Sequence, residues 1–152
     1  MAHDPRTAWH REARFGLFLH WGPYSVAGVE ASWSIMVPEL SRLAGSPAIA
    51  EHEYRQLQRR FDPVGFDPGA WVRAAREAGM RYVVLTAKHH DGFCMFDAPA
   101  TAYSVMSTPY GRDVVAMLAE ACDRASMPFG LYYSPPDMHH PGYRDTSRPA
   151  RE

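Results

Sequence analysis

The stretch Tyr82-Val-Val-Leu-Thr-Ala-Lys-His-His-Asp-Gly-Phe93 begins as a buried strand and ends in a cluster of titratable groups. Val83, Val84 and Leu85 are apolar without alternation, and two of them are β-branched. Such a run suits a strand covered on both faces, as in a parallel sheet. Lys88, His89, His90 and Asp91 follow at once, and Gly92 breaks the run. Polar groups at the C-terminal end of a buried parallel strand are where α/β folds build their sites.

Two other stretches repeat this design. Arg14-Phe-Gly-Leu-Phe-Leu-His20 is apolar after its first residue, ends in histidine and is stopped by Trp21-Gly22-Pro23. Phe129-Gly-Leu-Tyr-Tyr133 is stopped by Ser134-Pro-Pro-Asp137. Strands are therefore expected at about 14–20, 81–87 and 129–133. Trp9 to Ala13 reads as a short amphipathic opening turn. Residues 24–45 read as irregular, with one short apolar piece at Ile35–Val37 and a punctuating Pro38.

Helices fill the intervals. Ser46-Pro47 has the N-cap and first-position chemistry of a helix start, and the charged run Glu51 to Arg60 suits a surface helix. Asp67-Pro68 repeats that chemistry, with Gly79 placed to end the helix and Trp71, Ala74, Ala75 and Ala78 forming a stripe. Asp113 caps a further helix with Val114, Met117, Leu118, Ala121 and Cys122 on its apolar face. Strands alternating with helices imply βαβ units and a parallel sheet. The polar tail from Tyr143 to Glu152 is expected to be loose.

Composition bounds the possibilities. A chain of 152 residues can bury one real core. A net charge of −1 leaves no electrostatic footprint for nucleic acid or anionic lipid. No run approaches the ~20 apolar residues of a membrane span. The start, Met-Ala-His-Asp-Pro-Arg, lacks a signal-peptide core. Cys94 and Cys122 make neither a disulfide framework nor a metal-type pair. The expectation is a soluble, cytoplasmic protein with reduced thiols and no nucleic-acid or membrane partner.

Strand alternation puts Gly16, Phe18 and His20 on one side of the first strand, and Gly130 and Tyr132 on one side of the third. His20 and Tyr132 are thus expected to face one pocket. Taken singly, each feature has a plainer reading: a structural histidine, a solvated His89-His90 loop start, ordinary strand tyrosines, a lid tryptophan at Trp33. Asp91 before Gly92 reads as a turn residue bonding its own backbone. Jointly, three strand ends carrying hydrogen-bonding rings suit a polyhydroxylated ligand, which needs both a polar tip and an apolar body. A metal-dependent hydrolase using His20, His89, His90, Asp91, His139 and His140 is the competing chemistry. Metal sites on strands favour His-X-His, which puts both rings on one face, whereas adjacent histidines diverge. Neither a metal nor another cofactor is expected.

Arg14-Phe-Gly-Leu-Phe-Leu-His-Trp-Gly-Pro-Tyr-Ser-Val26 resembles the opening strand of family 29 α-L-fucosidases. Lys88-His-His-Asp-Gly-Phe93 resembles that family's second-strand motif, and Gly130-Leu-Tyr-Tyr-Ser134 its third. The Phe66-Asp-Pro…Trp71…Ala-Gly79 helix and Gly111-Arg-Asp113 match in order and spacing, so the resemblance runs from about residue 9 to 145. It implies an α/β fold, the N-terminal portion of a (β/α)8 TIM-like barrel, with about three parallel strands and covering helices. Residues 1–152 would then be part of a catalytic domain for retaining hydrolysis of α-L-fucosides, acting on a fucoside or fucosylated glycan. By motif position His20, His89, His90 and Tyr132 would bind the fucose hydroxyls, and Trp33 would line the same pocket.

The chain departs from the family pattern at Ser32, where many relatives carry a Glu before the pocket tryptophan; Glu30 lies two residues earlier. The family nucleophile follows the Tyr-Tyr-Ser motif at a distance that places it beyond residue 152. The expectation is an N-terminal fragment, inactive alone and prone to self-association through open sheet edges. The alternative is a non-catalytic sugar-binding remnant.

Overall fold

The computed structural model describes residues 5–36, 42 and 45–143. Val37 and Pro38, and the tail beyond Tyr143, lie outside the described residues. Three strands, β1 (Leu17–Leu19), β2 (Val83–Lys88) and β3 (Phe129–Tyr133), form one parallel sheet in the order β1-β2-β3. The strands lie where the apolar runs place them, although β1 is shorter at both ends than 14–20. Phe18 pairs with Val84 and Val84 with Gly130, so these residues form one row across the sheet. The register slips between Thr86 and Lys88, just where the chemistry of β2 begins. Among the described residues, the outer edges of β1 and β3 carry no further strand.

The helices are α1 (Ala8–Ala13), α2 (Trp33–Met36), α3 (Glu51–Gln56), α4 (Pro68–Glu77) and α5 (Val114–Arg124). Short 3-10 turns occupy Pro23–Val26, Leu57–Arg60 and Val105–Ser107. No helix among the described residues is long and apolar enough to cross a membrane. The two long helices begin as the sequence indicates. Asp67 Oδ1 accepts from Ala70 N at 2.9 Å, and Asp113 Oδ1 accepts from Ala116 N at 2.7 Å, each satisfying an orphan amide of the first turn. The end of α4 is a Schellman motif. Gly79, at φ 82°, donates to Arg76 O, and Met80 donates to Ala75 O, both at 2.9 Å.

The core lies between the helices and one face of the sheet. Val83 and Leu85 of β2 pack against Val72 and Ala75 of α4 and Val114, Leu118, Ala121 and Cys122 of α5. Leu17, Leu19 and Phe129 join from the flanking strands. Burying a leucine such as Leu118 completely contributes about 1.5–3 kcal/mol. Leu131 and Tyr133, further along β3, are 53% and 56% exposed, whereas Phe129 at its start packs against the core. A second cluster, Tyr24, Val29, Ala31, Ile35, Tyr54, Leu57 and Met138, packs the loops together.

Four sequence expectations need correction. Residues 24–45 are not irregular throughout, since they hold most of the 3-10 turn Pro23–Val26 and the helical turn α2. Ser46-Pro47 does not open a helix: residues 46–50 are extended or irregular, and α3 starts at Glu51 behind Ala50. The Ser46 hydroxyl instead accepts from Glu30 N at 3.2 Å, so its capping oxygen serves another loop. The Glu51–Arg60 segment is not wholly a surface helix, since Tyr54 and Leu57 point inward. The buried positions of α4 are Val72 and Ala75, while Ala74 and Ala78 stay exposed, so the stripe is narrower than its spacing indicates.

Candidate functional site

The C-terminal ends of the three strands meet, and each brings rings. Beyond β1, Trp21 turns toward the helices, within 5.0 Å of both Phe66 and Trp71 between ring centroids. Its amide donates to Thr86 Oγ1 at 3.2 Å, tying the end of β1 to β2. With Trp21 committed to that side, strand alternation sends His20 to the other. There His20 stacks on Phe18 at 4.9 Å and lies 5.4 Å from His89 and 5.8 Å from Tyr132. His89 stacks on Tyr132 at 5.9 Å and lies 4.4 Å from His90. The four rings expected from the sequence thus converge. Trp33 is the first residue of a helical turn, 39% exposed, and is linked to the cluster through its neighbour Ser32.

Each central histidine is held from behind by a serine. Ser32 Oγ lies 2.5 Å from His89 Nδ1, and Ser134 Oγ is hydrogen-bonded to His90 Nδ1. Both serines are buried, as is His89. An imidazole held through Nδ1 offers Nε2 to whatever enters the pocket.

Burial sets the charge of the site. It pushes His89 down to about 4, with the neighbouring His90, His20 and Lys88 adding to the shift. His90 is lowered by burial, then by Lys88 and His20. His20 is lowered by burial, partly offset by the Glu30 carboxylate. All three rings are therefore neutral at pH 7, and each carries one donor and one acceptor.

A polar scaffold supports the rings. Lys88, 3% exposed, donates from Nζ to Ser134 O at 2.8 Å and to Pro136 O at 2.9 Å. It also lies 4.0 Å from Asp137. Its ammonium thus fastens the end of β2 to the loop after β3 rather than facing a ligand. Asp91 is the turn residue its sequence indicates, accepting from Phe93 N at 3.1 Å. Its other oxygen accepts from Tyr54 Oη at 2.7 Å. Burial pushes the Asp91 carboxyl up to about 6, against the lowering effect of those two bonds and of Lys88. The sequence reading gave no role to Tyr54, Ser134 or the Ser32 hydroxyl. The only signal for Tyr54 is an aromatic residue inside a mostly polar segment. Among the described residues, no three His, Cys, Asp or Glu side chains are grouped to hold a metal ion.

A parallel sheet with helices on one face and neutral hydrogen-bonding rings at its strand C-termini is the architecture of a partial (β/α) barrel. The chain belongs to the α-L-fucosidase family, whose model matches residues 1–152. It is 41% identical to α-L-fucosidase isoenzyme 1 from Paenibacillus thiaminolyticus, with a TM-score of 0.78 over 91% of this chain and 31% of that one. A Lactobacillus casei α-L-fucosidase in complex with α-L-fucose is 36% identical, with a TM-score of 0.74 over 91% of this chain and 44% of that one. A putative α-L-fucosidase 1 from Oryza sativa subsp. japonica is 38% identical over 137 residues, covering 88% of this chain and 23% of the rice protein. The chain thus spans less than half the length of these relatives.

Proposed function

We propose that this chain supplies the fucose-binding part of an α-L-fucosidase, the whole enzyme hydrolysing α-L-fucosides with retention. His20, His89, His90 and Tyr132 would hydrogen-bond the sugar hydroxyls, with Trp33 as a flanking wall. The observation that carries this reading is the convergence of three neutral imidazoles and a phenol from three parallel strand ends. Neutral rings favour a neutral polyol over an anion, because they offer hydrogen-bonding nitrogens without a fixed charge.

Cleavage by a retaining route needs two carboxylates about 5 Å apart, one to form the glycosyl-enzyme bond and one to move the proton. Asp91 is poorly placed for either part, since both its oxygens are engaged by Tyr54 and Phe93. The 152-residue chain is accordingly expected to bind α-L-fucose without releasing the fluorophore of an aryl α-L-fucoside. Calorimetric titration with α-L-fucose, alongside D-glucose, tests the first half. His20→Ala or His90→Ala should weaken fucose binding about tenfold or more. Equal affinity for both sugars, or no effect of either substitution, would sink the reading. Fluorophore release abolished by Asp91→Ala would overturn the role given to Asp91.

A further inference from the structure

We propose that Ser32 and Ser134 are positioning residues that lock His89 and His90 in the same tautomer, proton on Nδ1, so that both present a bare Nε2 to the ligand. Each serine hydroxyl has one proton to give, and each has an acceptor other than its histidine. Ser32 donates to Met36 Sδ at 3.6 Å, and Ser134 donates to Pro136 O at 3.4 Å. A thioether sulfur and a carbonyl oxygen can only accept. With its proton so placed, each serine oxygen accepts, and the imidazole Nδ1 must be the donor. A neutral imidazole has a single N–H, so Nε2 is then an acceptor on both rings.

The surroundings reinforce the arrangement. Ser32 and Ser134 are 0% and 1% exposed, so water does not compete for their hydroxyls. Lys88 anchors the Ser134 loop through the carbonyls of Ser134 and Pro136, fixing the acceptor that Ser134 faces. The two rings are adjacent, with centroids 4.4 Å apart and planes at 57°. Two neighbouring acceptors select a ligand that donates from neighbouring hydroxyls. This arrangement discriminates a free diol from the same sugar with those oxygens alkylated. The ligand, but not the tautomer, rests on the fucose-binding reading above.

The tautomers can be read directly by long-range 1H–15N correlation of the imidazoles in the uniformly labelled 152-residue chain at pH 7.5. His89→Gln and His90→Gln assign the signals. Both histidines are expected to show a protonated Nδ1 and a bare Nε2. Ser32→Ala should shift His89 toward the Nε2–H form and leave His90 unchanged. Ser134→Ala should do the reverse, and Ser134→Thr, which keeps the hydroxyl, should restore His90. A wild-type Nε2–H form at either ring overturns the proposal, even if the serine variants fail to fold. So does a tautomer that does not respond to removal of its serine. In the same samples, Ser32→Ala should weaken α-L-fucose about tenfold. If the tautomers are as stated but fucose binds neither protein, the positioning role stands and the fucose-binding reading falls.

Discussion

At the N-terminal end of the sheet, α4 and α5 finish with the same backbone device. At the C-terminal end the work is done by side chains drawn from distant parts of the chain. Gly79 and Met80 close α4, and Ser126 and Met127 close α5, with Ser126 donating to Asp123 O at 2.9 Å and Met127 to Cys122 O at 2.8 Å. Arg76 Nη1 bridges the two helix ends by donating to Ala125 O at 3.3 Å. Backbone groups there satisfy one another, and the charged heads stay in water. The other end buries Lys88, His89 and Asp91 at 3%, 6% and 3% exposure. Burying such groups costs several kcal/mol unless each is paired, and each is paired through a different side chain or carbonyl. One end of the sheet is built for stability, the other for holding rings in fixed positions and protonation states.

The sharpest way to break this comparison is through pH. In the unfolded chain, Asp91 titrates near 3.8 and His89 near 6.5; folding pushes the first up to about 6 and the second down to about 4. The fold holds the Asp91 proton more tightly, so this group contributes stability below pH 4 that is lost as the pH rises through 6. His89 has the opposite sign: its contribution is complete above pH 6.5 and is lost as the pH falls toward 4. Each shift corresponds to about 3 kcal/mol, so the two largely cancel within that window. Asp91→Asn removes one and keeps an acceptor for Tyr54. Urea unfolding at pH 4.5 and 7.5 should show the variant losing about 2 kcal/mol more than the wild type on acidification, since pH 4.5 still lies above the unfolded value of 3.8. Identical pH responses would remove Asp91 from this account.

A matched pair of glycines gives a smaller effect. Gly92 and Gly79 have nearly the same backbone, φ 85° and 82°. A Cβ on Gly92 would lie 2.2 Å from Asp137 Oδ1 and 2.8 Å from His139 Cβ, whereas one on Gly79 meets nothing within 4 Å. Gly79→Ala should cost about 1 kcal/mol, the strain of a left-handed residue alone. Gly92→Ala adds overpacking and should cost about 2 kcal/mol or more. It should also weaken fucose binding, because Asp137 is tied to Lys88. Equal denaturation midpoints for the two variants would show that the loops around Gly92 yield freely.

The smallest effect has the opposite sign. Ser126 holds φ 51° where α4 uses glycine. Ser126→Gly should stabilise the chain by about 0.5 kcal/mol, the relieved strain less the entropy glycine loses on folding. Fucose affinity should not change. A thermal midpoint that falls would mean the serine side chain contributes more than its backbone strain costs.

The features legible in the sequence are those fixed by neighbours in the chain. Apolar runs gave three strands, Asp67-Pro68 and Asp113 gave two helix starts, and Gly79 gave a helix end, because periodicity and capping act within a few residues. Strand alternation aligned His20 with Tyr132 for the same reason. The Ser46-Pro47 reading failed because a capping oxygen is not obliged to cap: tertiary structure gave it to the Glu30 amide instead. The polar partners of the site were beyond local reasoning. Tyr54 and Asp91 are 37 positions apart, Ser134 and His90 are 44 apart, and Ser32 and His89 are 57 apart. Which hydroxyl meets which ring follows from how the loops pack through Tyr24, Ile35, Leu57 and Met138 over the strand ends. The sequence determined where the rings are; the packing of distant loops decided which protons they hold, because a hydrogen bond between distant residues leaves no spacing to read.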